Sequence, residues 1–120
     1  MKTACALAAE HGATITAVFV IEVSPLLPLD AQMSDEEAAA REALDRAEVI
    51  ADAFGLRLQK RTLRARDAGR VIVDMAEAAD SELVVIGAAR RQRMLGRRSV
   101  FTGAVKHVLV HAACRVLVIG

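Results

Sequence analysis

The residues best suited to chemistry lie in the last third of the chain. Gly87 ends the apolar run Leu83-Val-Val-Ile-Gly87, and residues 88–98 then hold five arginines, Arg90, Arg91, Arg93, Arg97 and Arg98, with no acid among them. Phe101-Thr102-Gly103-Ala104 follows as the small-residue start of a predicted helix. A phosphate group asks for this combination. Glycine lets backbone N–H groups approach closely, a helix N-terminus offers unpaired amides at the positive end of its dipole, and a guanidinium binds two oxygens at once. Gly87, Thr102, Gly103 and Ala104 therefore form a candidate phosphate cradle, with Arg90 and Arg91 as its cations. A run of arginines is equally well explained as the solvated face of a loop, so both readings stay open.

Other chemistries find less support. His107 and His111 have i, i+4 spacing, with Cys114 three residues further, so a metal site is conceivable. The HExxH glutamate is missing, and histidines near a helix C-terminus are satisfied by the dipole, so no metal site is expected. Cys114 stands just ahead of the apolar run Val116-Leu-Val-Ile119 and reads as a core thiol rather than a nucleophile. No Walker A or GxGxxG sequence follows a strand; Gly96-Arg-Arg-Ser99 lacks the lysine and the earlier glycine. Glu22, Asp30 and Asp67 fall near the ends of predicted elements, where ligands collect in open α/β sheets, and each is equally well explained as a turn or cap residue. With no base or ligand set in view, a non-enzymatic protein that requires no cofactor is expected.

The elements that must position these residues are legible from periodicity. The 120 residues fit one domain, residues 1–120. A hydrophobic share of 54% with a net charge of +1 argues against disorder and against a global field for nucleic acid. No window resembles a membrane span, and Cys5 and Cys114 read as reduced thiols of a cytoplasmic protein. An alanine-rich helix stops at Gly12, and the β-branched residues 13–23 make a strand covered on both faces. Ser34 with Glu37 predicts a capping box for a helix whose inner stripe is Ala40, Leu44, Ala47, Ala51 and Phe54, ended by Gly55. Residues 56–66 alternate as an edge strand does. Asp67 caps a third helix with Val71, Ile72, Met75, Ala76 and Ala79 inward, and Asp80-Ser81 end it. Leu83–Gly87 reads as a central strand, a last helix ends at His111, and Val116–Ile119 is the final strand. This alternation of helices and strands is that of an α/β fold, an open parallel sheet with helices on both faces.

Val84-Val-Ile-Gly87, the basic loop, Thr102-Gly103 and His111-Ala-Ala-Cys114-Arg-Val-Leu-Val-Ile119 arrive in an order that resembles the universal stress protein family. Its members have a strand V-V-I-G, a loop G-x2-G-x9-G-[S/T], and a helix ending in H-A-P-C before the last strand. Val18-Phe-Val-Ile-Glu22 is similar to the family's second strand, and Ala113 stands where proline is usual. The resemblance covers the chain from its first helix onward. It implies a Rossmann-like sheet ordered 3-2-1-4-5, with strand 1 and the adenine-contacting aspartate after it absent from these residues. The four remaining strands are then expected to close up directly or to borrow a strand from another chain.

The resemblance also implies an ATP or AMP ligand, with Gly87 as the first loop glycine, Val20 as the position whose backbone contacts adenine, and Thr102-Gly103 in place of Gly-Ser. Arg90 replaces the second glycine and the loop is two residues longer, so a different anion geometry is expected, and no residue is assigned to magnesium. A homodimer through Val116, Leu117, Val118 and Ile119 is the expected assembly. Val100-Phe101 and Cys114-Arg115-Val116 are similar to stress-protein domains appended to membrane transporters, so the alternative is an interaction module or transporter regulatory domain that binds no nucleotide.

Overall fold

The computed structural model describes residues 1–87 and 100–119. Four helices and four strands alternate: α1 (Lys2–His11), β1 (Ile15–Glu22), α2 (Ser34–Ala53), β2 (Leu58–Ala65), α3 (Ala68–Ala78), β3 (Leu83–Gly87), α4 (Val100–His111) and β4 (Arg115–Ile119). The fold is α/β with parallel strands, as the periodicity predicts. β1 pairs with β2 from Ile15 opposite Leu58 to Glu22 opposite Ala65, and β3 pairs with β4 from Leu83 opposite Arg115 to Gly87 opposite Ile119. These ladders are the 2–3 and 4–5 neighbours of a sheet ordered 3-2-1-4-5. Among the described residues they form two two-stranded sheets, so direct closure into one ladder is not seen. Each pair is made locally, by one crossover helix returning the chain to start a parallel neighbour.

The chain divides into two compact units, residues 1–66 and 67–120. In the first, α1 ends because Gly12 adopts φ 62°, a left-handed conformation that glycine accepts without steric cost, and its N–H returns to the Ala8 carbonyl. Cys5 of α1, Ala47 and Ala51 of α2 and Leu58 of β2 form one buried cluster, with Ile15 and Ala17 against it. Ile21, Val23 and Ala40 form a second, flanked by Phe19 and Met33. Small alanines let the helices lie close to the sheet, which accounts for a chain rich in alanine and poor in aromatics. In the second unit, Val73, Ile86 and Val108 are the buried centre, with Ile72, Val84, Val105, Ala112 and Val116 around them.

Four local expectations are corrected. Ser34 does not cap α2: the cap position is Met33, no side chain caps it, and Glu37 is drawn to Arg64 instead. Phe54 follows the last turn of α2 and is 40% exposed. Ala79, the residue that follows the last turn of α3, is exposed, and the buried residues of that helix are Ala68, Gly69 and Val73. Cys114 is half-buried in the turn ahead of β4 rather than sealed in a core.

Candidate functional site

The candidate site is assembled at a strand end and a helix start. Asp67 caps α3 by accepting the Arg70 N–H at 3.3 Å, which satisfies one of the otherwise unpaired amides of the first turn. α3 leads to β3, whose last residue is Gly87. Because β3 and β4 are parallel, the chain must travel back along the sheet before β4 can start, and α4 is the returning element. Its first turn therefore lies toward the carboxyl end of β3. Ligands collect at such strand ends in open α/β sheets.

Within α4 the small residues divide their tasks. Ala104 is 7% exposed and Val108 is fully buried, so they anchor the helix. Gly103 is exposed, and among the described residues nothing beyond its own stretch of helix stands within 4 Å of where a Cβ would be. Thr102 lies in the same turn. The fold thus brings Gly87, Thr102, Gly103 and Ala104 into one unit, in the connection between β3 and β4. Arg90 and Arg91 lie outside the described residues.

A close contact fixes the axis of α4. A Cβ added at Gly69 would stand 2.7 Å from the His107 Cβ and 3.2 Å from the Ala104 Cα, so glycine is the residue that permits α3 and α4 to approach this far. The sequence reading passed over Gly69. Its signal was available as a lone glycine inside a helical pattern, which costs about 1 kcal/mol unless packing requires it.

Val20 belongs to the first unit, in the middle of the β1 ladder opposite Leu63. The Val23 N–H donates to the Ala65 carbonyl at 2.8 Å, so the odd-numbered residues of β1 turn their backbone groups toward β2. Alternation along the strand then points the Val20 amide and carbonyl away from β2.

Beyond β1, the loop of residues 24–33 is held by two arginines whose role was not anticipated. Arg64 donates to the Leu29 carbonyl at 3.3 Å, to the Ala31 carbonyl and to the Glu37 carboxylate. Arg66 donates to the Val23 carbonyl at 3.4 Å and to the Ser24 carbonyl. One planar fork with several donors suits this task, since the loop carbonyls have no ladder to join. The loop presents Leu26, 93% exposed, with Leu27 and Leu29 beside it. Lys60 of β2 bridges Asp45 and Glu48 of α2, both at 3.3 Å, and the hydrogen bond it donates to Asp45 leads the effects that raise its pKa above the usual lysine value.

Among the described residues no cluster of three or more histidines, cysteines or acids forms a metal centre, and no helix is long and apolar enough to cross a membrane. The chain matches the model of the universal stress protein family over residues 1–120. It is 30% identical to a universal stress protein of Methanocaldococcus jannaschii, over 98% of this chain and 71% of that one. In fold it is similar to the universal stress protein of Archaeoglobus fulgidus in complex with dAMP, with a TM-score of 0.75 and 21% identity over 99% of this chain and 83% of that one. It is also similar to a universal stress protein in complex with cAMP, with a TM-score of 0.61 and 20% identity over 99% and 82%. The UspA protein of Lactobacillus plantarum superposes with a TM-score of 0.72 and 23% identity over 98% and 85%. The glycine-ended strand, the helix start that follows it and the match over the whole chain lead to one assignment: this protein belongs to the universal stress protein family.

Proposed function

We propose that the protein is a non-enzymatic stress-response or regulatory module of the cytoplasm that binds the phosphates of a nucleotide such as ATP or AMP. The observation that carries this reading is the exposed Gly103 in the first turn of α4, the helix that follows the Gly87 end of β3. The amides of that turn favour an anion, and Arg90 and Arg91 supply charge that can be shared bidentately. The dAMP and cAMP complexes of two relatives in fold support a nucleotide as the ligand class. No cofactor is required. Calorimetric titration with ATP, AMP and cyclic nucleotides at low salt tests the reading. Saturable heat is expected, weakened by salt and by the double variant Arg90→Glu, Arg91→Glu. No heat with any nucleotide overturns it.

A second reading has its own observation. β4 is paired on one edge only among the described residues, and Val118 on β4 with Leu109 and Val110 on α4 expose apolar surface, Val110 to 68%. Such an edge can pair with a second copy through Val116, Leu117, Val118 and Ile119. A homodimer, or a docked transporter domain of the kind that the Val100-Phe101 and Cys114-Arg115-Val116 signature resembles, covers this surface. Light scattering expects twice the chain mass; a strict monomer at all concentrations removes the homodimer.

A further inference from the structure

His107 and His111 stand one turn apart on α4, and their rings face one another with centroids 4.4 Å apart and planes inclined by 38°. His107 is half-buried and His111 exposed, so one ring is held while the other is free to adjust. The holding contact is specific: the His107 Cβ packs so tightly over Gly69 that no side chain fits between them. Part of the ordering entropy of a chelate is therefore spent in folding.

We propose that His107 and His111 form a two-histidine chelate for a late first-row divalent cation, Cu²⁺, Ni²⁺ or Zn²⁺, with water in the remaining positions. Two imidazole nitrogens sharing one metal at bonds of about 2.0–2.1 Å are roughly 3 Å apart, a spacing that rotation of the exposed His111 ring reaches from the observed stacking. The helix adds a second term. His111 closes α4, where unpaired carbonyls make the helix end negative and a cation is favoured. An all-imidazole donor pair selects these metals and leaves Mg²⁺ and Ca²⁺, which prefer oxygen ligands, unbound. No cluster of three ligating residues occurs among the described residues, and residues 88–99 contain no histidine, cysteine or acid. The site is accordingly open rather than a closed structural centre, and its occupancy raises the stability of the native state by mass action.

Titration of the 120-residue protein with Ni²⁺, Zn²⁺ and Cu²⁺, read by calorimetry and by thermal shift, tests this. One equivalent is expected to bind, with a metal-dependent rise in Tm that Mg²⁺ does not reproduce. His111→Gln, at an exposed position, is expected to weaken binding by at least about tenfold, the scale on which even outer-sphere partners of a metal act. Cu²⁺ is expected to broaden the NMR ring signals of His107 and His111 before those of His11. Unchanged affinity in His111→Gln, or loss of binding in His11→Gln or Cys114→Ser instead, overturns the proposal.

Discussion

Replacing Gly69 by alanine measures how closely α3 and α4 pack. In an isolated helix the change is favourable by up to about 1 kcal/mol, since alanine loses less backbone freedom than glycine. Here the new methyl would stand 2.7 Å from the His107 Cβ, 3.1 Å from its Cγ and 3.2 Å from the Ala104 Cα. Two of these atoms are backbone or one bond from it, so they yield only if a helix moves. Overpacking of this kind costs roughly 1–3 kcal/mol, and the tightness of the contact puts Gly69→Ala in the upper half of that range. The net expectation is a loss of about 1–2 kcal/mol, or a fall in Tm of roughly 4–8 °C for a chain of this size. Urea denaturation followed by circular dichroism reads the difference, with Gly103→Ala as the internal control. Among the described residues nothing beyond its own stretch of helix lies within 4 Å of a Cβ at Gly103, so that variant keeps the propensity gain and is expected to be as stable as the parent or more so. His107→Ala added to Gly69→Ala removes the ring but leaves the Cβ contact, and is expected to restore little. Equal stabilisation by Gly69→Ala and Gly103→Ala would refute the close approach.

Four further outcomes are expected. Asp67→Ala removes the side-chain cap at the Arg70 N–H of α3 and is expected to cost about 1 kcal/mol by urea denaturation, with Asp67→Asn recovering most of it. Arg64→Ala frees the carbonyls of Leu29 and Ala31, so thermolysin is expected to cut at Leu26, Leu27 or Leu29 faster than in the parent, as peptide mapping would show. A thiol reagent at pH 8 is expected to modify half-buried Cys114 and spare Cys5, which is fully buried. Burial pushes the Cys5 thiol up from its ordinary 9.0, so the native state keeps this proton to higher pH than the unfolded chain does. The stability this group adds is full below that ordinary value and declines as pH rises toward the native one, a slope that Cys5→Ala is expected to flatten in melts run above pH 9.

Much of the fold was legible because its signals are local. Gly12 and Gly55 end helices through their own left-handed backbone angles, 62° and 71° in φ, and Asp67 caps through a neighbour three residues away. The inner stripe of α2 from Ala40 to Ala51 follows from 3.6-residue periodicity alone. The failures share a cause. Ser34 and Glu37 have the spacing of a capping box, but Arg64, far along the chain, competes for the Glu37 carboxylate. Cys114 looked like the start of a core strand, and its position just outside the β3–β4 ladder left it half-buried. For the candidate site, the glycine at the strand end and the Thr102-Gly103 helix start were readable as types, whereas the openness at Gly103 and the tight fit at Gly69 depend on what another helix does.

By itself, the sequence determined the order of the elements, their parallel α/β character and membership of the universal stress protein family, since hydrophobic periodicity, caps and motif spacing act over a few residues. Only the tertiary structure decided that β1 joins β2 and β3 joins β4 in these registers, that Arg64 and Arg66 tie down the loop after β1, and that His107 is held over Gly69 and ring to ring with His111. The reason is physical. Local preferences choose the shape of a segment, while the partners of a strand edge, a guanidinium or a glycine gap are chosen by close packing and by the requirement that buried polar groups find partners, which no short window of sequence contains.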